Sequence, residues 1–246
     1  MPNVPNSTVP AFADQLRVLV FDLDGTLIDS NADLAASVNA VLAELGRPAL
    51  SSAQVAGFVG QGVPALMERA LAASGGRRSD ATVAAATAAM LRHYDGHFLD
   101  ATRLYGGVAE CLPVLAKRFD LAVLTNKPER PAREILGGLG VAGCFRGIYG
   151  GDSFAAKKPD PVGLRAILGA AAPEAALMVG DSVVDIQTGR GAGAWTCAVG
   201  YGFTPRDWAA GAADWEVGTF VELAAALALA ARDNVKAPHA QTGGPL

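Results

Sequence analysis

The stretch that most constrains this chain is VLVFDLDGTLIDS at residues 18–30, where an apolar run leads directly into two aspartates. Residues 17–23 are apolar on both alternating faces, which is typical of a β-strand that is covered on both sides. Two ionised carboxylates at the end of such a strand repel each other and lose hydration, which is costly without a counter-charge. The pair Asp22 and Asp24 therefore indicates cation or phosphate chemistry.

Later apolar runs predict the rest of a parallel sheet. They lie at residues 121–126, 147–151, 176–181 and 196–201, each ends in glycine or polar residues, and helical segments separate them. This alternation predicts βαβ units. Residues 30–100 carry apolar residues at helical spacing and no strand pattern. We therefore expect an α/β fold with a Rossmann-like parallel sheet core and an inserted all-helical cap. The helix expected over 108–118 either starts at Pro113 or is kinked there.

The predicted domain boundaries follow from these patterns. Residues 1–14 are expected to form a flexible lead and residues 234–246 a flexible tail. The catalytic core is expected to comprise residues 15–29 and 103–233, and the helical cap residues 30–102. Because the chain would cross between the two units twice, near Asp29 and near Thr102–Gly106, the junction predicts a hinge and the cap predicts a lid.

Composition excludes several classes of partner. The 246 residues are 51% hydrophobic and 18% charged, with a formal net charge of -4 and no block of like charge, so no nucleic-acid partner is expected. The first residues do not resemble a signal peptide, and the longest apolar stretch, 223–231, is too short to span a bilayer. Three cysteines without CxxC spacing fit a reducing compartment. We expect a cytoplasmic monomer or homodimer.

Polar residues collect where the predicted strands end, which is where open parallel sheets bind their ligands. Asp22 and Asp24 are two residues apart in an extended segment and would face the same point. Asp181, which follows another strand, would bring a third carboxylate. Such a set of hard oxygen ligands favours Mg²⁺ over zinc. Thr125 would add a hydroxyl, and one of the strand-end lysines, Lys127, Lys157 or Lys158, would add a cation, a combination that suits a phosphoryl group.

Four short segments resemble the motifs of the haloacid dehalogenase (HAD) superfamily in order: DLDGT at 22–26, LTNK at 124–127, KKP at 157–159 and GDSVVD at 180–185. The resemblance covers residues 17 to about 230 and implies a HAD-like core with a helical cap. It also implies a role for each matching residue. Asp22 would be the nucleophile that forms an aspartyl-phosphate, and Asp24 would act as the general acid and base.

By the same resemblance, Thr125 would bind phosphoryl oxygens and Lys158 would neutralise the Asp22–phosphate pair. Mg²⁺ would be held by Asp22, by Asp181 and by the backbone carbonyl of Asp24. The residues expected to contact the substrate are Gly25, Thr26, Asn126, Gly60 and Gly62. The sequence leaves open the roles of Asp185, Arg69, His93 and His97.

Other segments narrow the resemblance to bacterial phosphoglycolate phosphatases. They lie at residues 57–71, 105–116, 150–161, 199–208 and 212–223. The expected activity is Mg²⁺-dependent hydrolysis of a small phosphate ester, with 2-phosphoglycolate as the favoured substrate. Three alternatives remain open at this point. They are a phosphatase for sugar phosphates or nucleoside monophosphates, a β-phosphoglucomutase-like phosphotransferase, and a non-catalytic phosphate-binding regulator.

Overall fold

A six-stranded parallel sheet lies at the centre of the protein, in a computed structural model that describes residues 9–75, 79–204 and 212–230. Its strands are β1 (Val18–Phe21), β4 (Asp120–Leu124), β5 (Gly147–Tyr149), β6 (Ala176–Gly180), β7 (Trp195–Val199) and β8 (Trp215–Val217). They are arranged in the order β5-β4-β1-β6-β7-β8. The predicted α/β class is confirmed, and β1 lies inside the sheet between β4 and β6.

Helices cover both faces of this sheet. Their bounds are α5 (Val108–Leu115), α6 (Glu129–Gly138), α7 (Val162–Leu168), α8 (Val183–Ala192) and α9 (Phe220–Ala230). In β1, Leu19 and Phe21 belong to the larger apolar core, whereas Val18 and Val20 belong to the core on the opposite face. All four residues of β1 are buried, as expected for a strand that is covered on both sides.

A short antiparallel pair separates the sheet from a helical insertion. Strand β2 (Ile28–Asp29) pairs with β3 (Arg103–Leu104), so that Ile28 faces Leu104 and Asp29 faces Arg103. The insertion between them contains α1 (Asn31–Glu44), α2 (Ser52–Ala56), α3 (Val63–Ala73) and α4 (Asp80–Tyr94), and its described residues form no strand. This arrangement fits the predicted cap, and the division into domains stays a prediction.

A buried carboxylate ties the two ends of the insertion together. Asp33, in the first turn of α1, accepts hydrogen bonds from the backbone N–H groups of Ala101 and Thr102, each at 2.9 Å. The hydroxyl of Thr102 donates to the same carboxylate at 2.7 Å. The two chain crossings are therefore linked by three donors that share the Asp33 carboxylate as their acceptor, in addition to the β2–β3 pair.

Several local expectations differ from the structure. The helical spacing continues to Phe98, but α4 ends at Tyr94, because Asp95 is extended and Gly96 has φ +82°. Pro113 lies inside α5, which starts at Val108, so the helix does not begin at the proline. The sequence does not predict strand β8, because the charged Glu216 interrupts its three residues and leaves no continuous apolar run.

The predicted lead is described only in part, and the predicted tail lies wholly outside the described residues. Residues 1–8 and 231–246 lie outside the described residues. Within 9–14, the ring of Phe12 is buried and stacks on Trp195 at a centroid distance of 4.2 Å, so this part of the predicted lead packs on the core. In the described part of the chain, no helix combines the length and apolarity needed to cross a membrane.

Candidate active site

The polar residues at the strand ends converge because three of the strands are neighbours. Asp22 directly follows β1, and its N–H donates to the carbonyl of Val179 in β6 at 2.9 Å. Thr125 directly follows β4, and Asp181 directly follows β6. The three side chains are buried, with 6%, 3% and 4% of their surface exposed, at the same edge of the sheet. The sequence predicted this edge as the functional one.

Three carboxylates form a cluster at this edge. Asp22, Asp181 and Asp185 each offer one oxygen, and these oxygens lie within 4.8 Å of one another. Burial raises the pKa of Asp22 to about 6, with Asp185 adding to the rise and Lys158 opposing it. Burial and repulsion from Asp185 and Asp22 raise the pKa of Asp181 to about 8. The cluster therefore needs positive charge to remain ionised near neutral pH.

Lys158 supplies part of that charge. Its Nζ lies 2.8 Å from Oδ1 of Asp22 and 2.6 Å from Oδ1 of Asp185, and its side chain is 2% exposed. Burial lowers the pKa of Lys158, but the two carboxylates outweigh burial and raise it. The other oxygen of Asp185 accepts from the N–H and the hydroxyl of Ser182, the N-cap of α8. The capping box at the start of α8 therefore fixes Asp185 with one oxygen on Ser182 and the other on Lys158.

Asp24 has a separate set of partners. Its Oδ1 accepts from the hydroxyl of Ser30 at 2.6 Å, and Nζ of Lys127 lies 3.0 and 3.1 Å from its two oxygens. The Lys127 and Asp24 side chains are 4% and 10% exposed. On the insertion side, Nζ of Lys127 lies 4.7 Å from the ring centroid of Tyr94. The site thus contains two buried lysines: Lys158, which contacts Asp22 and Asp185, and Lys127, which contacts Asp24.

Asn126 connects the sheet edge to the insertion. Its side-chain amide donates to the carbonyl of Gly60 and to the carbonyl of Lys158, each at 2.9 Å. Nζ of Lys157 donates to the carbonyl of Gln61 at 2.7 Å. The backbone of Gly62 also lies close to Asn126, since a Cβ on Gly62 would be 3.3 Å from the carbonyl oxygen of Asn126. The loop 60–62 is therefore held against the strand ends through its backbone.

Arg69 stabilises the same loop from within the insertion. Its guanidinium donates to the carbonyl of Phe58 at 2.9 Å and to the side-chain oxygen of Gln61 at 2.5 Å.

His93 in α4 and His97 in the following turn have different partners. His93 contacts Glu44 at 2.6 Å, and His97 contacts Asp100 at 2.9 Å.

A partly open cavity lies between the strand ends and the insertion. It leaves about 40 Å³ for the centres of water-sized molecules. Its lining residues are Asp22, Asp24, Leu34, Val59, Gly60, Gly62, Val63, Leu66, Leu91, Tyr94, Thr125, Asn126, Lys127, Pro128 and Pro131. Polar groups therefore come mainly from the sheet edge, whereas the insertion contributes an apolar wall.

The predicted site residues divide into those that meet at the cavity and those that support it. Asp22, Asp24, Thr125, Asn126, Gly60 and Gly62 line the cavity. Gly25 packs beneath Asp181: it has φ +84°, and a Cβ would lie 2.3 Å from Oδ2 of Asp181. Thr26 is fully buried, and its carbonyl accepts from the hydroxyl of Tyr201 at 2.9 Å. Neither Gly25 nor Thr26 is among the described residues that line the cavity.

Comparison with known proteins identifies the family. The sequence profile of the haloacid dehalogenase-like hydrolases matches residues 19–199, which include all four motifs. The chain belongs to this family. The resemblance and the fold class inferred from the sequence are therefore confirmed.

Similar proteins within the family carry related names. The phosphoglycolate phosphatase of Rhodospirillum rubrum is 42% identical over 195 residues, which is 76% of this chain and 81% of that protein. Phosphoglycolate phosphatase 1 of Pseudomonas aeruginosa is 40% identical over 201 residues, covering 79% of this chain and 73% of that protein. A crystal structure titled as a predicted phosphoglycolate phosphatase from Haemophilus somnus is 30% identical, with TM-score 0.79, and covers 85% and 96% of the two chains.

The sequence assigns no definite role to two members of this haloacid dehalogenase-like site. It placed Lys127 at a strand end within LTNK but gave it no role, although Lys127 contacts Asp24. It left the role of Asp185 open, although Asp185 contacts Lys158 and lies in the carboxylate cluster. Both residues could have been found from their positions in the motifs, since Lys127 ends LTNK and Asp185 ends GDSVVD. No sequence signal paired Lys127 with Tyr94 across the insertion.

Proposed function

We propose that this protein is a Mg²⁺-dependent phosphatase that hydrolyses 2-phosphoglycolate to glycolate and phosphate through an aspartyl-phosphate on Asp22. Family membership and the names of relatives at about 40% identity support phosphomonoester hydrolysis. The observation that carries the proposal is the pair of acids on one cavity wall. Asp22 and Asp24 both line the cavity, and each contacts a different buried lysine.

The carboxylate cluster fits a magnesium ion. Its donors are all hard oxygens, and the tight packing of Gly25 against Asp181 leaves that carboxylate little freedom to move. Asp22 and Asp181 would hold Mg²⁺ together with the backbone carbonyl of Asp24, and Asp185 would support the site from its place beside Lys158. When bound, the ion would supply positive charge that lets the Asp22 carboxylate approach a phosphate dianion.

In the proposed reaction, an oxygen of Asp22 attacks phosphorus while the bond between phosphorus and the ester oxygen breaks. Asp24 donates a proton to the departing oxygen and then accepts one from the water that hydrolyses the acyl phosphate. Thr125 would donate a hydrogen bond to the phosphoryl group. Lys158, already 2.8 Å from Asp22, would balance the charge on the phosphorylated side chain.

The cavity favours a small substrate over the alternatives. The space that it leaves for the centres of water-sized molecules, about 40 Å³, suits a small ester better than a sugar phosphate or a nucleotide. The wall contributed by the insertion is largely apolar, with Leu34, Val59, Val63, Leu66 and Leu91 among its residues. Such a wall offers few partners for the hydroxyl groups of a sugar or nucleotide, which would be left without hydrogen bonds.

We further propose that the enzyme is cytoplasmic, either as a monomer or as a homodimer.

The test is phosphate release from 2-phosphoglycolate, glucose 1-phosphate, a nucleoside monophosphate and p-nitrophenyl phosphate, with and without Mg²⁺. We expect Mg²⁺-dependent turnover with kcat/KM for 2-phosphoglycolate about tenfold or more above the others, a difference of roughly 1.4 kcal/mol. A preference for a sugar or nucleotide would refute the substrate, and no release from any ester would refute the enzyme class.

A variant tests the nucleophile separately. Asp22→Asn should abolish turnover and leave the protein folded, as judged by a cooperative thermal unfolding transition, because the amide keeps the size of the carboxylate. The matched control is Asp14→Asn, which removes an exposed carboxylate and should retain full activity. Full activity in Asp22→Asn would show that another group attacks phosphorus.

A further inference from the structure

The proposed reaction assigns no role to one buried cation, Lys127. Among the described residues that line the cavity, Lys127 is the one that carries a positive charge. The lysine assigned to the phosphoryl group, Lys158, contacts Asp22 and Asp185 instead. Burying a lysine is costly unless an anion accompanies it, and here that anion is Asp24. Such a costly charge beside a substrate cavity suggests a function in binding.

The position of Lys127 is defined by Asp24. In the proposed reaction Asp24 transfers a proton to the ester oxygen, so its carboxylate must lie beside the leaving group. Nζ of Lys127 is 3.0 and 3.1 Å from the two oxygens of Asp24. Lys127 therefore lies on the leaving-group side of the cavity, and Lys158 on the nucleophile side.

The remaining walls offer no alternative for a second anion. Thr125 also lines the cavity but is assigned to the phosphoryl group, and the side-chain amide of Asn126 already donates to two carbonyls. Apart from these, Lys127 and the two aspartates, the described lining residues are glycines, aliphatic side chains, two prolines and Tyr94. A carboxylate placed against these groups alone would lose its hydration without compensation. In 2-phosphoglycolate one methylene carbon separates the ester oxygen from the carboxylate, so a carboxylate beside Asp24 would also be beside Lys127.

We propose that Lys127 binds the carboxylate of the substrate and thereby selects phosphate esters whose leaving group is a short carboxylate. This inference rests on the proposed function and adds the residue that determines its specificity. Tyr94 of α4 keeps Lys127 in place from the insertion side, through its ring face. An ester with an uncharged leaving group would leave the contact between Lys127 and Asp24 as it is.

The test compares 2-phosphoglycolate with ethyl phosphate, which has the same chain length and a methyl group in place of the carboxylate. The readout is the ratio of the two kcat/KM values in the unmodified protein and in Lys127→Met. Loss of a hydrogen-bonded charge pair should lower this ratio by about ten- to a hundredfold. Lys127→Arg keeps the charge and should retain most of the preference. Lys117→Met removes an exposed lysine and should leave the ratio unchanged.

Because Lys127 also contacts Asp24, Lys127→Met should slow both substrates, and only the ratio tests the inference. An equal loss on both esters would overturn it, since Lys127 would then act through Asp24 alone. If Lys127→Met does not fold, as judged by thermal unfolding, Lys127→Gln provides the same comparison. An unmodified protein that hydrolyses both esters equally well would refute the proposed substrate as well. A preference that survives in the folded variants would refute the inference alone.

Discussion

Replacing Asp181 by asparagine should stabilise the metal-free protein at neutral and alkaline pH, although it removes a proposed magnesium ligand. Asparagine has the size of aspartate, so the close packing of Gly25 and Gly202 around this side chain is preserved. The amide oxygen can still accept from the N–H of Phe203, which now donates to Oδ2 of Asp181 at 2.7 Å. What the substitution removes is a buried negative charge beside Asp22.

The magnitude follows from the pKa of Asp181. Burial, with repulsion from Asp185 and Asp22, raises that pKa from 3.8 to about 8. The folded state therefore binds more protons than the unfolded state between these two values, and its stability falls as pH rises through that window. At pH 7, about three units above 3.8, ionisation of this one group costs roughly 4 kcal/mol of folding stability.

The assay is thermal unfolding in excess EDTA at pH 5, 7 and 8. For a chain of this size, 1 kcal/mol corresponds to about 2–4 °C, so Asp181→Asn should unfold on the order of 10 °C above the unmodified protein at pH 8. The gap should shrink toward pH 5. Added Mg²⁺ should raise the unfolding temperature of the unmodified protein much more than that of the variant.

Two results would refute this reasoning. One is an Asp181→Asn protein that is less stable than the unmodified protein in EDTA at pH 8. The other is a stability difference that is the same at pH 5 and pH 8, since it would show that the charge of Asp181 is not its cause. Asp14→Asn, which changes an exposed carboxylate, should leave the unfolding temperature nearly unchanged at every pH.

Two further substitutions test the supports of the site. Gly25→Ala should weaken Mg²⁺ binding, measured by titration calorimetry, and destabilise by about 2–4 kcal/mol, because its φ is +84° and the new Cβ would clash with Asp181. Gly46→Ala is the matched control: its φ is +64° with nothing within 4 Å, so a cost of only about 1–2 kcal/mol is expected. Asp33→Ala should lower the free energy of unfolding in urea by about 2–4 kcal/mol, because the N–H and hydroxyl of Thr102 lose their acceptor. A loss below about 1 kcal/mol would show that this contact does not stabilise the fold.

The position of the site could be predicted from the sequence because strand ends are encoded locally. A short apolar run that stops at Asp22 or at Asp181 marks both the strand and its functional end. In a parallel sheet all such ends lie at one edge, so the carboxylates converge whatever the details of the helices. Strand ends alone predict the shared edge, whereas the closeness of the side chains depends on the strand order, in which β1 lies between β4 and β6.

The contacts between the sheet edge and the insertion could not be predicted in this way. Lys127 contacts Asp24 and lies over Tyr94, which is 33 positions away in the chain, and this depends on how α4 packs. Arg69 faces its own loop because Gln61 and Phe58 offer it acceptors, a result that helical spacing alone does not indicate. Such pairings depend on tertiary geometry, for which a single sequence carries no periodic signal.

The antiparallel pair β2–β3 allows the sequence between its two strands to be replaced without disturbing the sheet. Because Ile28 faces Leu104 and Asp29 faces Arg103, the chain leaves the sheet and returns to it at neighbouring positions, about 5 Å apart in a paired ladder. The separation of these two points does not depend on the length of the segment between them. Residues 30–102 could therefore be exchanged for another sequence as a cassette, with Asp22 still at the end of β1. The apolar wall that the insertion contributes to the cavity and the chemistry at phosphorus can then diverge independently within one gene.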